Sequence, residues 1–486
     1  MQKEWLSENT PGFDCPDPIL TETYRFRWQT FSKHMKSTPD GFVVTEFAAD
    51  VPWAGRYNTI NCAAGHHFYE GRWLRDPRYL SEYARFWFGP SGDPRNYSFW
   101  AADSIYAYSL VNGDVELIKM LLPDLVHNYR AWEEKRQDSS GLFWQYDNYD
   151  GMEYSIGGSG YRATINSYMY GDAVAIARIA AMMGDDQLAA EFTEKANTVK
   201  RLVQEQLWDP EDSFFKVKVN EVGLAYTKNQ PAAWVNQLNE GQLRLNQLVD
   251  VCELHGYVPW YFNLPDSGFE RAWKKLRDPS GFEASYGPTT TEQRHPLFMC
   301  HHTHECLWNG PSWPYATTQL LVAMANLLRN YDQNYVTVDD YFTLLRRYAS
   351  CHRILSDDGE EKPWIDENLD PYTGEWIARN RLYERNDPLK DRGANYNHSG
   401  FCDLIISGLM GIQPRADAML QISPLLPQDT WDYFRLDSVP YHGRLVTVQY
   451  DRTGSRYEQG AGFRVFVDGI LRASEDTVRP LLIPLN

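Results

Sequence analysis

Apolar residues recur at three- and four-residue spacing through the middle of the chain. Leu188, Phe192, Ala196, Val199, Val203 and Leu207 put one apolar stripe on a helix, and Ala173, Ile176, Ile179, Ala180 and Met183 put another just upstream. Gly184-Asp185-Asp186 interrupts the two, so the pair predicts a helical hairpin. The pattern returns in Leu320, Leu321, Met324, Leu327 and Leu328, breaks at Asn330-Tyr331-Asp332, and resumes in Tyr341, Leu344, Leu345 and Tyr348. Between hairpins lie stretches rich in Gly, Pro, Trp, Tyr, His and Asp, at 143–167, 281–314, 357–376 and 386–400. Long aromatic, polar loops between regular elements are more often functional than idle. Hairpins set in a ring, with these loops forming a cleft at one end, account for the alternation. The expected organisation is a polar N-terminal arm over 1–54, a mainly α domain over 55–415 and a small β-region over 416–486. In the last of these Leu445–Tyr450 and Phe463–Val467 read as strands, with turn chemistry at Asp451-Arg452-Thr453-Gly454 and Asp468-Gly469.

Composition narrows the function. The 486 residues include 17 Trp and 31 Tyr, more flat amphipathic faces than a plain core needs and suited to stacking on sugar rings. A formal charge of −18 repels polyanions, and no basic run with interleaved aromatics occurs, which argues against nucleic acid as a partner. The seven cysteines, at 15, 62, 252, 300, 306, 351 and 402, are scattered without a CxxC, so reduced thiols are expected rather than a disulfide framework. No window approaches a membrane-spanning length, and the N-terminus carries no basic and apolar leader pattern. A soluble, cytoplasmic protein is expected from the chain as it stands, or a secreted or periplasmic one if a leader has been removed.

Two segments could carry acid–base chemistry on a glycosidic bond, which needs one carboxylic acid and one carboxylate, roughly 6.5–9.5 Å apart when water is the direct nucleophile. The stretch 143–155 holds Asp147, Asp150 and Glu153 among Trp144, Tyr146, Tyr149 and Tyr154 with no basic residue. A carboxyl group in such surroundings tends to keep its proton, as a general acid must. The stretch 364–376 holds Trp364, Asp366, Glu367, Asp370 and Trp376. Helix caps and turns are the ordinary roles of single acidic residues, and Asp147, Asp366 and Asp370 suit them. Cys300-His301-His302-Thr303-His304-Glu305-Cys306 packs five borderline ligands into seven residues but matches no usual zinc spacing. It leads straight into the Trp308 loop, so imidazoles contacting sugar hydroxyls are an equally physical reading.

The segment Glu367-Asn-Leu-Asp-Pro-Tyr-Thr-Gly374 resembles the E-N-x-[ND]-P-x-T-G motif of glycoside hydrolase family 63. Trp308-Asn309-Gly310-Pro311-Ser312-Trp313 is similar to its W-R-G-x-x-W loop, and Asn166–Asp172 with Trp208-Asp209-Pro210 to the helix pair after its catalytic acid. Asn395–Ser399 sits where that family has a polar loop before its last barrel helix, and His66-His67, Glu70, Arg72 and Trp73 where the wider clan has an early loop near the site. The resemblance spans about residues 55–415. It implies an (α/α)6 barrel of the six-hairpin type, shared with family 37 trehalases, the mannosylglycerate-hydrolase-like group and β-L-arabinofuranosidases, and an inverting mechanism with Glu367 as base. The family's acid follows a tryptophan in an E-S-G-x-D context that is missing here. Asp150 is the best positional match, one residue out of register, with Asp147 and Glu153 as alternatives. Asn309 replaces a frequent arginine, and His398 stands where tryptophan is common.

The expected function is an inverting, exo-acting glycoside hydrolase without cofactor or metal, acting on an oligosaccharide or small glycoside. Asp150 and Glu367 are the expected catalytic pair. Trp144, Trp308, Trp313 and Trp376 are expected to stack on sugar, and Arg162, His301, His302 and His304 to meet its hydroxyls. Glu153, Asn166, Asn309, Gly310, Asn397 and His398 complete the expected lining. The rival readings are a β-L-arabinofuranosidase-like hydrolase, a sugar epimerase or lyase using His or Tyr as acid–base, and a carbohydrate-binding protein without turnover.

Overall fold

The computed structural model describes residues 2–229, 243–300, 304–356 and 359–485. It is an (α/α)6 barrel with a C-terminal β-region. The inner helices are Ala64–Gly71, Ala101–Asn112, Ala163–Met182, Val258–Tyr261 with the 3-10 turn Leu254–Tyr257 before it, Pro314–Asn330 and the π-helix Leu404–Leu409. Outside them run Pro18–His34, Arg78–Phe88, Val115–Arg136, Asp186–Gln206, the 3-10 helix Glu270–Arg277 and Val338–Ser350.

Both hairpins expected from periodicity form, and their breaks have local causes. Gly184 adopts φ +75°, the left-handed conformation that only glycine takes at no steric cost, and Asp185 caps the next helix by accepting the Leu188 N–H at 3.0 Å. In the second hairpin Pro314 opens the inner helix, where its missing N–H costs nothing. Thr337 and Asp340 cap the outer one reciprocally.

A carboxylate closes the ring. Glu70, at the end of the first inner helix, accepts the backbone N–H groups of Phe401 (3.1 Å), Cys402 (2.9 Å) and Asp403 (2.8 Å), which enter the last inner helix. Arg72 and Trp73 both donate to Asp403, each at 2.7 Å. Glu70, Arg72 and Trp73 therefore lie on or just beyond a helix and hold first and last elements together, rather than in a loop near the site.

The N-terminal segment does more than wrap the barrel. Asp17 accepts the Ile19 N–H and starts the helix Pro18–His34, which packs on Val338–Ser350 as part of the outer ring. Its apolar face (Leu20, Tyr24, Trp28, Phe31) is buried, but Arg27 and His34 are buried among these residues, which hides the stripe from a periodicity reading. Gly12–Asp14 joins the C-terminal sheet, whose order is 12–14, 433–441, 444–451, 462–467, 470–475, all antiparallel. Asp468 and Gly469 both have positive φ, the two-residue hairpin turn that their pairing predicts. A second sheet orders 481–484, 419–422 and 412–413.

Candidate active site

The N-terminal ends of the inner helices and the loops before them surround a pocket of about 240 Å³. Glu367 lines it, and its place is fixed by turn chemistry. Asp370 accepts the N–H groups of Tyr372 (2.8 Å) and Thr373 (3.0 Å), and Gly374 takes φ +78°. Ser312 and Leu369 exchange backbone hydrogen bonds of 2.9 Å each, tying this turn to the Trp308 loop. Asn368 anchors the other side by donating to the Glu305 carbonyl at 2.8 Å.

The Glu367 carboxylate is buried and held at both oxygens. Arg392 Nε donates to Oε1 at 2.9 Å, and the Cys306 thiol lies 3.0 Å from Oε2. Arg392 also donates to Glu305 at 3.0 Å, and Arg385 donates to the other Glu305 oxygen at 2.7 Å. Burial alone would raise the Glu305 carboxyl, but the hydrogen bond from Arg385 and the charges of His304 and Arg392 hold it at about 2. Burial, with the neighbouring Glu367 charge, pushes the Cys306 thiol up, so it sits as a protonated donor. Asp366 stands behind, accepting the Glu367 N–H at 2.9 Å, and burial raises its carboxyl to about 7.

Glu153 lines the same pocket. Its carbonyl accepts the Trp308 N–H at 3.0 Å, which locks it to the tryptophan loop. No cation pairs with its carboxyl among the described residues. Burial, reinforced by the charges of Asp147, Glu367 and Glu46, pushes it up to about 8. Trp308 and Trp313 form a stacked pair with centroids 4.5 Å apart, and Trp313 Nε1 donates to the Leu307 carbonyl at 2.8 Å. His398 Nε2 lies 3.2 Å from the Glu367 carbonyl oxygen, its ring centroid 3.9 Å from that of Tyr396.

Asp150 is elsewhere. Its side chain is completely buried and outside the pocket lining. Oδ2 accepts from Arg162 Nε at 2.6 Å and from the Thr164 hydroxyl, and Oδ1 from Ser98 at 2.5 Å. Arg162 uses its remaining donors on Ser155, the Gly158 carbonyl and Met152. The pair is an internal brace for the loop that presents Glu153.

Of the other expected residues, His304, Trp308, Trp313 and His398 line the pocket. Six more, besides Arg162, are not part of its lining. The Arg136 guanidinium lies over Trp144, 4.4 Å from the centroid of its ring. Asn166 ties the start of its helix to Phe143 by accepting its N–H at 2.9 Å and donating to its carbonyl at 2.7 Å, and also donates to the Arg162 carbonyl at 2.8 Å. Asn309 donates to the carbonyls of Leu297 and Cys300. Gly310 has φ +152°, and a Cβ there would meet Met299 and Phe298. Trp376 donates to the Arg353 carbonyl at 2.9 Å, and Asn397 to that of Thr45 at 3.2 Å. His301 and His302 lie outside the described residues.

The structure adds residues that sequence reasoning missed. Arg392 lies in the flagged 386–400 loop, and its role depends on two acids from other segments. Glu46, Phe47 and Trp53 come from the N-terminal segment, which carried no signal of chemistry. Tyr396 donates to Glu46 at 2.6 Å, and burial raises the Glu46 carboxyl to about 8. Ligand atoms of His304, Glu305 and Cys306 lie within 4.8 Å of one another. A cation there would compete with Arg385 and Arg392 for Glu305 and with a protonated thiol at Cys306, so the donor set is a poor fit for a metal. No described helix is long and apolar enough to cross a membrane.

The mannosylglycerate hydrolase MGH1-like glycoside hydrolase domain matches residues 56–399, and the C-terminal domain of glycosyl hydrolase family 65 matches 415–470. A solved protein named sialidase is 38% identical over 99% of this chain, with a TM-score of 0.88, and this chain spans 42% of that one's length. The mannosylglycerate hydrolase of Thermus thermophilus, solved with glucose, shares the fold at 14% identity (75% of this chain, 99% of that one, TM-score 0.51). A family 78 rhamnosidase of Bacillus sp. GL1 does so at 12% (94% of this chain, 41% of that one, TM-score 0.57). With its model match covering well over half the sequence, the chain belongs to the MGH1-like glycoside hydrolase domain family.

Proposed function

We propose that the protein is an inverting, exo-acting glycoside hydrolase in which Glu153 is the general acid and Glu367 the general base. The supporting observation is that, of the four carboxyl groups that line one small pocket, Glu153 and Glu367 stand in opposite electrostatic surroundings. Glu153 is pushed up to about 8 by burial with no cation paired to it among the described residues, whereas Glu367 is ion-paired to Arg392 at 2.9 Å. Pairs of titratable groups driven apart in this way divide into acid and base. Asp150, tied to Arg162, has no path to a substrate oxygen from its buried place.

In the reaction the Glu153 proton goes to the glycosidic oxygen as its bond to the anomeric carbon breaks. A water attacks that carbon from the opposite face and gives a proton to Glu367. The products are a reducing sugar of inverted configuration and a free aglycone alcohol, and both carboxyls reset by exchange with solvent. A pocket of about 240 Å³ suits one terminal ring rather than a bound chain. Its lining guanidinium, Arg392, is spent on Glu305 and Glu367, so a neutral ring fits better than the acidic sugar that the name of the sialidase relative suggests.

The test is product analysis by proton NMR on a panel of aryl glycosides. The first-formed sugar is expected in the anomeric form opposite to the substrate, and Glu153→Gln and Glu367→Gln are each expected to lose activity. First-formed product of retained configuration, or near-full turnover by either variant, would sink the assignment.

A further inference from the structure

Part of the catalytic pocket lies outside the matched family domain. Glu46, Phe47 and Trp53 line the pocket but precede residue 56, where that domain begins. The segment is tied down on both sides of Glu46. The Thr45 hydroxyl donates to the Phe47 carbonyl at 2.8 Å, and Asn58 donates to the same carbonyl at 3.1 Å. The Asn397 N–H donates to the Glu46 carbonyl at 3.0 Å, and its side chain to that of Thr45 at 3.2 Å. Glu46 therefore enters the pocket from a backbone locked to the 386–400 loop.

Much of the polar lining is spent internally. Glu305, Cys306, Glu367 and Arg392 are bonded together, and Tyr315 donates to the Cys62 carbonyl. Glu46 is only half spent. Its Oε1 accepts from Tyr396 at 2.6 Å, while Oε2 has no partner among the described residues. Unlike the sealed, unpartnered polar atoms of the core, Oε2 keeps accessible surface. In a residue only 6% exposed that lines the pocket, this surface opens into the pocket. Burial raises the carboxyl to about 8, so at neutral pH it holds a proton. With Oε1 accepting, that proton sits on Oε2 and makes it a donor. Tyr396 packs on His398, and His398 reaches the Glu367 carbonyl. Glu46 thus belongs to the wall that carries the base, whereas a leaving-group acid must stand opposite the base. A neutral carboxyl in that place is suited to binding rather than to proton transfer.

We propose that Glu46 is a specificity-determining residue whose Oε2 hydrogen-bonds one hydroxyl of the terminal sugar ring, an inference that rests on the hydrolase reading above. A site built to bond a hydroxyl rejects the analogue that lacks it, because its own polar group is left unpaired. The test crosses enzyme variants with monodeoxy analogues of the aryl glycoside that wild type hydrolyses best, one ring position at a time. Glu46→Leu is expected to lose about tenfold in kcat/KM on the parent glycoside, the worth of one hydrogen bond. At one ring position, removing the hydroxyl is expected to cost wild type about tenfold more than it costs Glu46→Leu. Glu46→Gln keeps an acceptor for Tyr396 and puts an amide donor in place of Oε2, so it is expected to rescue the loss. If Glu46→Leu fails to fold, Glu46→Leu with Tyr396→Phe strands no hydroxyl and reads the same cycle. The proposal is overturned if every deoxy substitution costs wild type and variant equally. It is equally overturned if Glu46→Gln is as inactive as Glu153→Gln, which would make Glu46 a proton donor. Should wild type hydrolyse no glycoside, the hydrolase reading fails by itself, and calorimetric titration of wild type and Glu46→Leu with D-glucose, D-mannose and L-rhamnose decides on Glu46. Weaker binding by the variant then supports its role, and equal affinity or no binding by wild type overturns it.

Discussion

Asp150 and Glu153 stand three residues apart in one loop, carry the same functional group and have opposite surroundings. Asp150 is saturated: a guanidinium and two hydroxyls take up both oxygens, and its charge is fully paired. Glu153 has no cation paired to it among the described residues and lines the cleft with its carboxyl pushed up to about 8. A carboxylate that is satisfied in the ground state is poorly placed to exchange a proton with a substrate, whereas one kept neutral by burial is ready to give its proton away. The comparison assigns the first to loop architecture and the second to chemistry.

The largest effect that could break this contrast is kinetic. Glu153→Gln is expected to lower kcat by about 10²–10⁴-fold on substrates with poor leaving groups, the range that a positioned general acid supplies. The loss should shrink on aryl glycosides with acidic phenols, which leave without help. The pH profile gives a second readout: wild-type activity should fall as pH rises through about 8, where Glu153 loses its proton, and that limb should vanish in Glu153→Gln. A leaving-group series in which Asp150→Asn behaves this way and Glu153→Gln does not would reverse the assignment.

The second effect is on stability and belongs to Asp150. Removing its charge leaves the Arg162 guanidinium buried and unpaired, so Asp150→Asn is expected to cost about 3–5 kcal/mol. Urea melts should show that loss, while kcat for the molecules that remain folded stays within a few-fold of wild type. Arg162→Met combined with Asp150→Asn should recover part of it, since the stranded charge is gone.

This contrast also marks the limit of what the chain discloses. Glu367 was legible because its supports are local: the Asp370 turn and Gly374 lie within seven residues and leave a sequence pattern. The place of Trp308 and Trp313 at the pocket was legible for the same reason, since both lie in one short loop, whereas their stacking on each other was not expected. The hairpins were legible because their faces repeat at helical period. Asp150 and Glu153 share their near neighbours, and what separates them comes from Ser98, Thr164 and Arg162 on one side and from Glu46 and Glu367 on the other. The outer helix Pro18–His34 was hidden because buried Arg27 and His34 interrupt its apolar pattern. Arg27 is matched only from remote segments, lying 3.0 Å from His352 and donating to the Ser399 carbonyl at 2.6 Å.

The smallest effect sharpens the comparison by adding a third carboxyl. Glu46 is buried in the pocket wall, accepts a hydrogen bond from Tyr396, and is raised to about 8 mainly by burial. In the unfolded chain a glutamate ionises near 4.3, roughly. Below that pH both states hold the proton, and Glu46 adds no pH dependence. As pH rises from there to about 8, the unfolded state gains by ionising while the folded state stays protonated, so stability drains away across that window. Glu46→Gln keeps an oxygen to accept from Tyr396 and removes the titration. It is therefore expected to match wild type near pH 4.5 and to exceed it increasingly as pH rises toward 8, read as a Tm difference that grows with pH. A Glu46→Gln Tm difference that stays flat from pH 4.5 to 8 would mean that Glu46 is ionised in the folded protein. The pocket would then carry more negative charge, and the repulsion that reinforces burial in keeping Glu153 neutral would be stronger.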